Sequence, residues 1–369
     1  MPAIITDRFR IHNSEQFQEA FSETSGNTMY LGIGRPQAFA TATRGDARTD
    51  NEGSDTAPLT PADNRNAQSF PFDDLLAAKR ITASDVTFAV PRRNWTTGTV
   101  YDIYRHDYGE RITGTTTAQT SNSGVSTLHD ASFYVLTTAR NVYKCLDNNG
   151  NSASTVEPTG TATTVLTTGD GYKWKYMYTL SASQQANFLS TDFMAVATDS
   201  TVSSAAVDGA IDVVKIKAAG SGGTNGTHTG IAIRGDGTGG VASVTVNGGA
   251  VTAVTVTTAG SGYTFGTISN AQIVAAGATS LSGAELDVII PPKGGHGKNA
   301  VEELGGFYVM LNTSLEGTES GNSGDVTVAN DFRKISLIRD PNASGSAATA
   351  TTLRGTKAIN LTGVSGSYV

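Results

Sequence analysis

The stretch from Gly169 to Leu180, GDGYKWKYMYTL, constrains the fold more than any other part of the chain. A Gly-Asp-Gly turn opens directly into strict alternation. Tyr172, Trp174, Tyr176 and Tyr178 fall on one face of a strand, with Lys173, Lys175, Met177 and Thr179 on the other. Each large ring removes on the order of 150–250 Å² from water when buried, so four in a row demand a second layer. The residue pattern favours a core or sheet strand over an exposed aromatic binding platform.

Composition points the same way. Charged residues make up 16% of the 369-residue chain, and 42 glycines favour many turns over long helices. The length allows several domains. A net charge of -7, with no basic stripe to offset it, argues against nucleic acid or anionic membrane as a partner. The single cysteine, Cys145, sits in an apolar run and is expected to be buried filler, so no intrachain disulfide is available. The N-terminal MPAIITDRFR lacks a signal-peptide pattern, and no apolar run is long enough to span a membrane.

Along the chain, Ala3–Arg10 suits an opening strand, and Asn13 with Gln16 suits the start of a helix carrying Phe17, Ala20 and Phe21. Strands are predicted at Thr28–Ile33, Val86–Pro91, Ser132–Cys145, 307–312 (FYVMLN) and within Asn330–Pro341. Asp147-Asn148-Asn149-Gly150 reads as a turn, and Phe72–Arg80 as a short helix. Ser181 with Gln184 forms a capping box at the head of SASQQANFLS. Residues 40–70 read as a polar loop whose Arg44-Gly45-Asp46 triplet is a chance match. Arg92, Arg93 and Trp95 read as a structural corner that could stack and pair with acids.

Between residues 206 and 290 the composition shifts. Arg234 and Asp236 are the only charged residues between Ala218 and Ala284, and Val214–Gly222 matches Val254–Gly262 at a shift of 40. Valines flanking Asn247-Gly248-Gly249 read as a hairpin. Two stacked copies of a small β-unit would bury a face that neither buries alone. The predicted class is therefore mainly β with a few short helices (α+β) and multi-domain. It comprises an N-terminal region over 1–205, an inserted Gly-rich β domain over 206–290, and a C-terminal strand region over 291–369.

No catalytic constellation stands above chance. Gly235–Gly240 fits G-x-G-x-x-G, but VASVTV follows it, a strand where dinucleotide binding needs a helix. His296, flanked by glycines in PPKGGHG, is expected to be exposed and has no metal-ligand neighbours in sequence. The Asp73-Asp74 and Glu302-Glu303 pairs are most simply solvated. The chain is expected to be no enzyme and to need no metal or cofactor.

Five stretches, in order, carry a family likeness: AIITDRFR with NTMYLGIGR, VPRRNW with YDIY, VYKCLD, GDGYKWKYMYTL, and NDFRKISLIRDP. Together they resemble the baseplate wedge subunit of T-even-type contractile-tailed phages. With its GGHG loop, the Gly-rich segment is more similar to the variants carried by cyanobacterial myophages. The resemblance assigns family-motif, structural roles to Arg92, Arg93, Trp95, Tyr172, Trp174, Tyr176, Phe332 and Arg333. It implies a virion protein of the tail baseplate, assembled in the host cytoplasm, that forms a homodimer within each wedge. By the same resemblance it contacts other wedge proteins and holds them through tail contraction. A receptor- or glycan-binding tail module, using the Gly-rich insert as its contact surface, is the alternative. A tail-associated polysaccharide hydrolase is a third reading, for which the insert holds few acids.

Overall fold

The computed structural model describes residues 5–23, 28–35, 75–110, 112, 116–313 and 332–340. It also describes the short paired segments Gly53–Ser54, Ala57–Pro58, Glu316–Glu319, Asn322–Asp325, Asn342–Ala343 and Ser346–Ala347. Most of the 40–70 loop, its RGD triplet and most of the tail lie outside the described residues. The protein is mainly β, with five short α-helices among the described residues. Two compact units divide it. One holds residues 1–14 and 88–308, the other residues 15–87 and 309–369.

In the first unit, the Asn141–Asp147 strand pairs antiparallel with both Tyr134–Leu136 and Lys173–Thr179, and Leu166–Thr167 extends the far edge. Tyr101, Ile103, Val135, Tyr143, Cys145, Tyr172, Trp174, Tyr176 and Val202 make its apolar cluster. The predicted alternation survives only as far as Met177. A bulge there pairs Tyr176 with Tyr143 but Tyr178 with Val142. Because adjacent residues of a strand face opposite ways, the extra residue sends Tyr178 to the other face. Its hydroxyl there donates to Ala195 O at 2.9 Å.

Residues 211–290 build an apolar cluster of their own, from Ile211 to Ile290. Gly226–Ala232, Val241–Asn247 and Ala250–Thr258 form a meander, and Val214–Ser221 pairs with Ser282–Val288. The hairpin turn is Gly248-Gly249, with φ of +64° and +79° as a two-residue primed turn requires. The internal repeat extends further than its valines, since G-S-G-x-T-x-G-T spans both 220–227 and 260–267. Its glycines repeat their backbone too. Gly220 and Gly260 both have φ +66°, while Gly222 and Gly262 have +79° and +75°. A Cβ on Gly220 would come within 2.7 Å of Ala284 N, and one on Gly260 within 2.5 Å of Gly240 N. The repeated motif is therefore a backbone-on-backbone crossing that excludes side chains.

In the second unit, Met29–Gly34 lies between Lys334–Arg339 and Leu75–Ile81. One face packs Tyr30, Ile338, Leu75 and Ala78. The other packs Met29, Ile81, Val86, Leu31 and Leu337 with Ala20, Phe21, Val309 and Leu311.

Several local expectations fail. Asp7–Glu19 is one helix, so Asp7–Arg10 is not strand and Asn13 is not the helix start. Thr6 sets the start instead, accepting from Phe9 N through Oγ1 at 3.3 Å. Leu75–Ile81 is a strand where Phe72–Arg80 is predicted as a helix, because its pairing with Met29–Gly34 outweighs the helix propensity of its Leu, Ala, Lys and Arg residues. Helices Ser200–Ala205 and Asn270–Ala275 have no counterpart among the predicted elements, whereas the Glu302-Glu303 pair, read as helical or turn, lies in the helix Ala300–Leu304. The Ser181–Gln184 capping box is formed in both directions, at 2.9 and 3.2 Å.

Candidate functional site

The corner after the Val86–Pro91 strand is built from main-chain acceptors. Arg93 donates to Ala131 O, to His129 O and Asp130 O at 3.2 Å, and lies 4.6 Å from the Tyr134 ring centre. Arg92 donates to Ser190 O at 2.8 Å and to Asn94 Oδ1 at 2.9 Å. Trp95 Nε1 donates to Ser154 Oγ at 3.1 Å. The arginines therefore grip carbonyls and an amide rather than the expected acids. A planar guanidinium with several donors suits convergent carbonyls of one turn.

Ser154 connects this corner to the aromatic strand. Its hydroxyl donates to Asp170 Oδ2, which also accepts from Thr155 N at 2.8 Å and Val156 N at 3.0 Å. Thr168 and Tyr172 N bond the other oxygen. Burial alone would raise the Asp170 pKa, but these hydrogen bonds to the charged form prevail and pull it down to about 2. Tyr172 and Trp174 stack at 5.4 Å and 17°, with Tyr101 edge-on to both. Tyr172 and Trp174 have no exposure and Tyr176 has 5%, so these rings offer no platform to a ligand. Phe332 and Arg333 belong to the second unit, half-buried just before the Lys334–Arg339 strand, where Arg333 N donates to Arg35 O at 3.1 Å. They are not part of the corner.

A polar cleft of about 690 Å³ lies within the first unit, lined by Ile103, residues 105–108, Glu110, Ile112, residues 119–122, Asn148, Asn151, Lys215 and Asp287. Arg105 bridges Asp107 and Asp287, each at 2.7 Å from Nη2. Burial would raise the Asp107 pKa, but its bond and charge contact with Arg105 lower it. His106 Nδ1 accepts from Ile290 N at 3.2 Å, which puts the proton of the neutral ring on Nε2. Lys215 donates to Asp147 at 2.6 Å. The cleft thus presents fixed donors and acceptors of both charges, an arrangement suited to binding a polar group.

A second cluster went unseen in the sequence. His296, expected to be exposed, is buried, with its ring 4.9 Å from that of Tyr104. Gly294, Gly295 and Gly297 all take positive φ, which turns the loop inward. Burial, then Lys144 and Lys175, drives the His296 pKa well below its usual value. Glu303, expected to be solvated, is buried and bonded to Lys144 Nζ. Lysine in the alternation of NVYKCLD was the available signal: its neighbours on both sides are apolar, so whichever face it takes is packed.

In the G-x-G-x-x-G loop, the Tyr263 ring fills the space a phosphate would need. A Cβ on Gly237 would lie 2.4 Å from that ring, and the Tyr263 hydroxyl bonds Ile233 O and Gly240 N. Among the described residues no group of three or more His, Cys, Asp or Glu is placed to hold a metal ion, and no helix is long and apolar enough to cross a membrane. Neither a scan against protein-family models nor a search of curated proteins finds a match to this chain.

Proposed function

We propose that this chain is a structural subunit of a phage tail baseplate wedge, binding a second copy of itself and neighbouring wedge proteins. In this reading it acts in the virion after assembly in the host cytoplasm, uses no cofactor and turns over no substrate. One observation carries most weight. The residues behind the resemblance, Arg92, Arg93, Trp95 and the Tyr172–Tyr176 rings, make contacts that fix one part of the chain to another. Such use suits a rigid scaffold presenting large surfaces to partners. Mass spectrometry of purified phage particles and separated baseplates tests the reading. Peptides of this chain at a fixed ratio to other wedge proteins are expected, and their absence from the particle would sink it.

The polar cleft favours a second reading, a glycan-binding tail module, because Lys215 and Asp287 of the Gly-rich segment line it. A glycan array probed with the full chain tests this. Absence of signal would leave the scaffold reading alone.

A further inference from the structure

Lysine rarely gives up water entirely, because its charge is costly to desolvate. Lys144 has done so. It lies in the middle of the Asn141–Asp147 strand with no exposed surface, and its Nζ donates to Glu303 Oε2. Glu303 comes from the Ala300–Leu304 helix, which Asn299 caps through Val301 N and Glu302 N. The Tyr104 ring centre stands 4.8 Å from Nζ, and Phe133 packs on the edge of that ring.

The surroundings go beyond those of an ordinary ion pair. Gly297 N donates to both oxygens of Glu303, at 2.8 and 3.0 Å, and Asn299 N reaches Oε1 at 3.2 Å. Two backbone N–H groups converging on one carboxyl are the donors that a tetrahedral oxyanion at its carbon would need. Burial lowers the Lys144 pKa in spite of its carboxylate partner, which brings the neutral, nucleophilic amine within reach. Asp212 is a half-buried carboxyl whose pKa is raised by desolvation against the pull of Lys175 and Lys144.

The geometry points to a covalent modification: Lys144 and Glu303 join through an intramolecular isopeptide bond formed by the folded chain itself. A proton first passes from the ammonium to the carboxylate, leaving amine and carboxylic acid. The Nζ lone pair then attacks Cδ of Glu303, and the C–N bond forms while Gly297 N–H and Asn299 N–H hold the oxyanion. Collapse breaks one Cδ–O bond, and that oxygen leaves as water with a proton from the nitrogen. Ammonium plus carboxylate becomes amide plus one water, with no change in net charge and no oxidant or co-reactant. In water this condensation is unfavourable. Fixed proximity is equivalent to an effective molarity of roughly 10⁵–10⁸ M, and removing two buried charges relieves their desolvation penalty. The link spans 159 residues and ties the central strand to the helix after the glycine loop.

Intact-mass measurement of the purified, denatured full chain, followed by tryptic mapping, tests the bond. The expected chain is one water lighter than its sequence. Lys144 resists trypsin, and a branched peptide joins residues 141–173 to 299–333. Lys144→Arg and Glu303→Leu should each restore the full mass and separate the two peptides; Glu303→Gln is unsuitable, because its amide could condense with loss of ammonia. If neither variant folds, the wild-type map decides alone. Full mass with cleavage after Lys144 would overturn the inference. So would loss of water without the branched peptide, which is the signature of succinimide at an Asp-Gly step.

Discussion

At the residue scale, the strongest effects come from positions where backbone meets backbone or where one side chain satisfies several carbonyls. Gly209 and Gly248 have nearly equal φ, +65° and +64°. A Cβ on Gly209 would sit 2.1 Å from Tyr263 N, whereas one on Gly248 meets nothing within 4 Å. Gly248→Ala should therefore cost about 1 kcal/mol, the price of left-handed backbone alone. Gly209→Ala should cost at least about 3 kcal/mol, since strain and clash combine. Urea titration of the two variants separates them, and equal shifts would refute the close approach of Gly209 to Tyr263 N. Arg93→Ala removes three bonds to carbonyls and the stacking contact with the Tyr134 ring. A loss of about 2–4 kcal/mol is expected, and Arg93→Lys should recover little of it, because an ammonium lacks the fork.

Elements in this protein are held at their ends as much as along their length. Asp170 ties the start of the aromatic strand to residues 154–156. Its folded pKa of about 2 lies below the usual value near 4, so the unfolded chain binds the proton first. Its contribution is complete above about pH 4 and is lost as pH falls toward about 2. Asp170→Asn should lower stability at neutral pH and flatten the acid limb of the curve. An unchanged acid limb would show that the carboxylate's bonds contribute nothing. Partial exposure of Asp170 moderates the size of the effect. In the Gly-rich segment, Tyr263→Phe deletes the bonds to Ile233 O and Gly240 N but keeps the ring. A loss of about 1–3 kcal/mol is expected, with faster amide exchange confined to the 233–240 loop.

For the molecule as a whole, His296 makes global stability depend on pH near neutrality. Burial holds it neutral, with Lys175 also opposing its charge and Tyr104 packed on its ring. The unfolded chain takes up a proton near pH 6.5 and the folded chain does not, so stability falls as pH drops below that point. The slope expected is about 1.4 kcal/mol per pH unit for this one group. His296→Leu should abolish the slope between about pH 6 and 5 while leaving the Asp170 limb in place. Denaturant curves at a series of pH values measure both. A slope that survives in His296→Leu would assign it to other groups.

Alternation, glycine punctuation and capping chemistry are local properties, and so the β class, the aromatic strand, the Ser181 capping box, the turn at Asp147–Gly150 and the repeated Gly-Ser-Gly unit can be read from the residues alone. Arg92, Arg93 and Trp95 were legible as a corner because bulky donors follow a strand end; their carbonyl partners, 36 to 98 residues away, were not. That Tyr178 leaves the face of its three neighbours emerges in the folded sheet, since a bulge is set by the register of two strands. Pairing alone made strand of Leu75–Ile81. Burial of His296 and Glu303 was equally invisible locally: glycine and glutamate read as surface until a fold brings Lys144, from a distant strand, to the carboxylate and closes water out around them.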